Sequence, residues 1–141
     1  QTELKLAAMK FLQINLPPKS RDFGLLIIRV AAGFFMIYGH GFGKLTRLFG
    51  SDEIAFADPF GLGPVVTLAF AVLAEFFCAI LVIIGLYTRA ATIPLIITMA
   101  TAFFTAHLTD EFGSQEKSLL YLFIFVGLFL TGPGKISLDK K

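Results

Sequence analysis

The chain has 141 residues and a net charge of +2, with 16% charged and 56% apolar residues and a mean hydropathy of +0.79. Soluble domains carry roughly 25% charged residues, so composition excludes an ordinary soluble protein and selects the membrane class. The small, dispersed positive charge points to no nucleic-acid partner, and the single cysteine, Cys78, rules out an internal disulfide.

Residues 1–21 are read as an N-terminal interfacial segment. Within it Leu4, Ala8, Phe11 and Leu12 share one helical face, flanked by Lys5 and Lys10. That is the pattern of a short helix lying in the membrane interface, stopped by Pro17-Pro18. It lacks the continuous apolar core of a cleavable signal; the blander alternative is a frayed basic tail.

Residues 22–141 form the second unit. Apolar runs occupy 23–42, 64–86, 90–108 and 118–131. A membrane helix needs about 20 apolar residues, which the first three supply. The fourth must borrow Gln115-Glu116-Lys117 or lie in thinner bilayer. No strand alternation recurs, which argues against a β-barrel. The expected fold is all-α, an integral membrane four-helix bundle in contact with the lipid bilayer.

Lysine and arginine set the direction. Lys5, Lys10, Lys19, Arg21, Arg89, Lys135, Lys140 and Lys141 fall on one side, against only Lys44, Arg47 and Lys117 on the other. Both termini are therefore expected in the cytoplasm. The second and third spans join through a tight hairpin at Tyr87-Thr88-Arg89, whereas the loop at 44–63 is long and contains FADPFGLGP. Long loops are uncommon unless functional, and Phe49, Phe56 and Phe60 suit one that folds back as a lid.

The stretch YGHGFGK, residues 38–44, imitates a phosphate loop but lacks its first glycine, its hydroxyl and a preceding strand. It is expected at the outer end of the first span, where its glycines unwind the helix and Lys44 caps the carbonyl end.

Polar residues inside the spans carry the functional signal. Arg29, Gly33, Met36, His40 and Lys44 fall on one helical stripe. Arg29 lies where a charge costs about 2.5–3.5 kcal/mol even on a lenient scale, and Gly33 allows a neighbouring helix to approach. Glu75 is the carboxylate of the second span, on a stripe with Ala71, Cys78, Ala79 and Val82. An Arg29–Glu75 ion pair is the expected arrangement, acting either as a device for helix register or as a polar site or proton relay. His40, Lys44 and His107 form a candidate ligand-binding rim. Two histidines could hold a haem or metal with Glu75 or Asp110, but His107 lies opposite the face of Thr98, Thr101 and Thr105, and Glu75 lies deeper. These placements disfavour haem and give no metal site.

The segments RVAAGFFMIYGHGFGKL, LAEFFCAILVIIGLYTRAA, TMATAFFTAH and LLYLFIFVGLFLTGPGKISLD resemble, in that order, the DoxX family of small bacterial membrane proteins. By position the resemblance marks Arg29, Gly33, Lys44, Glu75, Arg89, His107 and, in the closing motif, Gly132, Pro133, Gly134, Ser137 and Asp139. It implies a four-helix protein of the bacterial cytoplasmic (inner) membrane, associated with quinone-linked respiratory or redox complexes, with quinone as the candidate cofactor and other complex subunits as partners. Three functions follow: a redox-complex subunit with a quinone site walled by Phe34, Phe35, Phe76 and Phe77; a noncatalytic structural subunit; or a binding protein for a small organic or lipid-like molecule.

Overall fold

A computed structural model describes residues 3–4, 16–106 and 109–139. The expected interfacial helix of residues 1–16 lies almost wholly outside these, as does His107. Among the described residues all regular structure is helical. Helix α1 is Ser20–Leu48, α2 is Pro64–Ile84 and α3 is Thr88–Thr105. These three are long and apolar enough to cross a membrane. Helix α4, Phe112–Thr131, has 20 residues. Its first turns hold Ser114, Gln115, Glu116 and Lys117, so it takes in the expected polar residues but falls short of the other three in apolar content.

The chain folds up and down. Helix α1 lies against the end of α2, α2 against α3, α3 against α4, and α4 touches α1 again. Buried side chains between them include Met36, Cys78, Val82, Leu95, Phe125 and Leu128. The small-residue stripe around Glu75 is buried throughout: Ala71, Cys78, Ala79 and Val82 all face inward. So does the stripe of Arg29, Gly33 and Met36.

Two contacts set how closely α1 and α2 approach. A Cβ at Gly33 would stand 2.5 Å from Ile83 Cγ1 and 2.9 Å from the Ala79 carbonyl oxygen. One at Gly41 would stand 2.4 Å from the Glu75 carbonyl oxygen. Backbone therefore lies nearly on backbone at both levels, as small residues permit in membrane helices.

Each of the three long helices departs from α geometry. A π-helical turn occupies Ile37–Gly41 in α1, Leu73–Cys78 in α2 and Ala102–Ala106 at the end of α3. Such turns insert an extra residue and occur often at functional sites. The first one corrects the expectation for YGHGFGK: the helix does not unwind at these glycines but passes through them and runs on to Leu48. The loop is accordingly shorter, 49–63.

Gly33→Val should place a branched side chain where only hydrogen fits. Overpacking of this kind costs about 1–3 kcal/mol, so the variant should unfold at lower temperature than the wild type in detergent. Gly24→Ala, where an added Cβ meets nothing within 4 Å and alanine is the better helix former, should melt no lower than the wild type.

Candidate functional site

The expected Arg29–Glu75 pair does not form. Gly41, not Arg29, lies against Glu75, and the 12 residues from Arg29 to Gly41 span about 18 Å of helix. Arg29 lies at the other end, level with Ile83 and Gly85. The end of α2 lies level with Arg29, well inside α1, so the two helices end at different levels on that side, and no sequence signal reports that offset.

Arg29 is 1% exposed; backbone carbonyls take both of its Nη groups, while Nε is buried without a partner. Its Nη1 donates to the Pro133 carbonyl at 2.7 Å, and Nη2 donates to the carbonyls of Ile136 at 2.9 Å and Ile83 at 3.5 Å. Pro133 and Ile136 belong to the segment after α4, which folds beneath the α2–α3 hairpin. Leu138 and Asp139 donate backbone N–H groups to the carbonyls of Ile84 and Gly85. The Asp139 carboxylate accepts from the Tyr87 and Thr88 amides at 2.6 and 2.9 Å, satisfying amides at the start of α3 as a helix N-terminus requires. Lys135 N donates to Asp22 Oδ1 at 3.0 Å, and Ser137 Oγ donates to the Gly134 carbonyl.

Gly85 makes the turn possible, with φ of 69°; a Cβ there would meet Arg29 Nη1 and Ser137 Cβ at 2.5 Å. Arg89 Nη2 donates to the Leu130 carbonyl at 3.3 Å, and Gly132 lies beside that guanidinium. The motif residues Arg29, Arg89, Gly132, Pro133, Gly134, Ser137 and Asp139 thus build one clasp at one end of the helices. Burial works against the Asp139 carboxylate, but the Thr88 and Tyr87 donors and the Arg29 charge together hold it below the usual range.

Glu75 has a different partner. Lys44 Nζ donates to Glu75 Oε2 at 2.5 Å, with the Glu75 side chain 3% exposed and that of Lys44 24%. Lys44 therefore neutralises Glu75 rather than capping the end of a helix. The close approach at Gly41 brings α1 against α2 at this level, and Lys44 follows one turn later.

The pair lies in the wall of a cavity of about 590 Å³. Helix α2 contributes Thr67, Phe70, Ala71 and Leu73 to its lining, and α3 contributes Pro94, Ile97, Thr98, Thr101, Ala102 and Thr105. Phe56, Ala57, Pro59, Phe60 and Leu62 of the loop cover it. The lid expectation holds for Phe56 and Phe60 but not for Phe49, which is 80% exposed. The threonine face of α3 looks into the cavity, whereas Phe34, Phe35 and Phe77 point outward and Phe76 is absent from the lining. Those four side chains are therefore not its walls. Spacing on the Arg29 stripe marks Lys44 in the sequence, but a side chain at a helix end reads as solvated, and nothing in the sequence signals its pairing with Glu75.

Asp58 holds the lid. Its carboxylate accepts from the Leu62 and Gly63 amides at 3.0 and 2.8 Å and from the Thr67 hydroxyl at 2.7 Å, and Arg47 Nη2 donates to the Ala55 carbonyl at 2.5 Å. His40 packs edge-on against Tyr121, with ring centroids 5.8 Å apart, and does not line the cavity. Among the described residues no three histidine, cysteine or acidic side chains gather as metal ligands would.

The family model DoxX matches residues 24–108. The chain belongs to the DoxX family. The match spans Arg29, Lys44, Glu75 and Arg89 but stops before the closing segment at Gly132. An "Inner membrane protein YphA" of Escherichia coli is 31% identical over 135 residues, covering 85% of this chain and 95% of that protein. An "Uncharacterized protein" of Haemophilus influenzae is 29% identical over 133 residues, covering 87% of this chain and 93% of its own. No solved structure gives a significant match. With three long apolar helices, this DoxX-family chain is a membrane protein.

The Thr67 hydroxyl, followed by the Gly63 and Leu62 amides, holds the Asp58 carboxyl below its usual range. A carboxyl lowered on folding contributes stability that is present above its unfolded value, about 3.9, and lost as pH falls through the folded one. Asp58→Asn should therefore be less stable than the wild type at neutral pH, and the gap should close as pH drops below about 4. Thermal melts across pH measure both arms.

Proposed function

We propose that this chain is a four-span protein of the bacterial inner membrane that binds an amphiphilic small molecule of the quinone class beside Lys44 and Glu75. In this reading both termini are cytoplasmic, residues 22–141 form one four-helix unit, and the protein works as a subunit of a redox complex. Support for the location comes from the inner-membrane relative and from the distribution of lysine and arginine.

The observation that carries the ligand reading is a single ion pair set in a mostly apolar cavity. Ligand sites typically measure about 300–1,000 Å³, with mostly apolar walls and a few polar groups that orient the guest. Here the walls are Phe56, Phe60, Phe70, Leu73 and Ile97, and the polar groups are Lys44, Glu75 and threonine hydroxyls. A quinone ring and the start of its tail would occupy the apolar volume, with a ring oxygen at the ion pair. Arg29 is not part of this site, since the closing segment holds it at the opposite end.

Purified protein in detergent should bind a decyl-tailed benzoquinone. Lys44→Met should weaken binding about tenfold, as expected for loss of a charged hydrogen bond, while Phe34→Leu, on the outer face, should leave it unchanged. Equal affinity in Lys44→Met and wild type would show that the ion pair does not address the ligand.

A further inference from the structure

The polar lining of the cavity is unequal in donors and acceptors. A carboxylate accepts at both oxygens, and Lys44 takes one of them, Oε2. Glu75 Oε1 meets no donor among the described residues, although the side chain is 3% exposed. Three of the four lining threonines add acceptors rather than donors. Thr98 Oγ1 donates to the Pro94 carbonyl at 2.8 Å, Thr105 Oγ1 to the Thr101 carbonyl at 2.7 Å and Thr67 Oγ1 to Asp58 at 2.7 Å. Their hydroxyl protons are thus committed, and these three offer a guest oxygen lone pairs; the fourth lining threonine, Thr101, has a hydroxyl that can either donate or accept. Lys44 is the charged donor in the lining.

A guest that matches this set must give a proton as well as accept one. A hydroxyl can donate to Glu75 Oε1 while its oxygen accepts from the Lys44 ammonium. A carbonyl can accept from Lys44 or from the Thr101 hydroxyl, but it leaves Oε1 unpaired and turns its own lone pairs toward the carboxylate. An acceptor buried without a donor costs about 1–3 kcal/mol, and sites built around a hydroxyl discriminate strongly against analogues lacking it.

We infer that the cavity selects an amphiphile whose polar head is a hydroxyl, so that a hydroquinone binds in preference to the quinone of the same carbon skeleton. This rests on the reading of the cavity as a ligand site and adds which redox form it holds. Reduction to the hydroquinone adds two electrons and two protons and leaves size and tail unchanged, so the pair isolates the hydrogen-bonding difference.

The test uses the full chain in detergent, without oxygen, titrated with decyl-benzoquinone and with the same compound reduced by dithionite. The hydroquinone should bind at least about tenfold more tightly. In Glu75→Gln, whose amide can also donate, the ratio should fall toward one. Thr98→Val, which removes one acceptor whose hydroxyl bond is local to its own helix, should lower the ratio by less and supplies the check if Glu75→Gln fails to fold. Equal affinity, or tighter binding of the quinone, overturns the inference while leaving the cavity a ligand site. Binding of neither form overturns the cavity reading and this inference together.

Discussion

A carboxylate inside a bilayer needs a countercharge, and the placement of Lys44 against Glu75 organises the structure around that need. An uncompensated charge at such depth is expensive, and a buried pair compensates only when its geometry is close. Closeness here comes from backbone. Gly41 brings α1 onto the Glu75 carbonyl, and Lys44 then lies within reach. The π-helical turns at Ile37–Gly41 and Leu73–Cys78 meet at this level. A residue larger than glycine at position 41 would push the two helices apart and separate the charges.

The second buried charge is solved in another way. Arg29 has no carboxylate within a salt bridge among the described residues; three backbone carbonyls receive its guanidinium, two of them from the segment after α4. Asp139, in the same segment, binds the amides at the start of α3. A planar, multi-donor guanidinium suits this arrangement better than a lysine would. Arg29 thus joins the first span, the α2–α3 hairpin and the closing segment. The two charges that look like one pair on paper stabilise opposite ends, one as a clasp and the other as the polar spot of a cavity.

Much of this was legible in the sequence, and the failures share a physical cause. Helical periodicity placed Arg29, Gly33 and Met36 on an inward face and Ala71, Cys78 and Ala79 on another, because burial follows the 3.6-residue repeat. The loop phenylalanines announced a lid, and Phe56 and Phe60 form one. What the sequence did not contain was the relative depth of the helices. Arg29 and Glu75 therefore read as within reach of each other, and Phe34 and Phe77 were assigned to a cavity that Phe56, Phe60 and Phe70 line instead. The glycines read as helix breakers in YGHGFGK lie within a continuous helix, and one of them, Gly41, is a contact residue, because neighbouring-helix packing outweighs local propensity. The GPGKISLD segment read as a motif, yet its work as a carbonyl cradle for Arg29 depends on contacts more than 100 residues apart in sequence.

The central claim is that the space beside Lys44 and Glu75, under the 49–63 loop, is where this protein holds an amphiphile. Photolabelling measures this directly. The protein in lipid vesicles is illuminated with a quinone analogue carrying a photoreactive group on its ring, and the labelled peptides are mapped. Labels should concentrate on α2 around Leu73 and on α3 between Ile97 and Thr101, and excess unlabelled quinone should suppress them. Labels spread over the outward phenylalanines Phe34, Phe35 and Phe77, unaffected by competitor, would contradict the account.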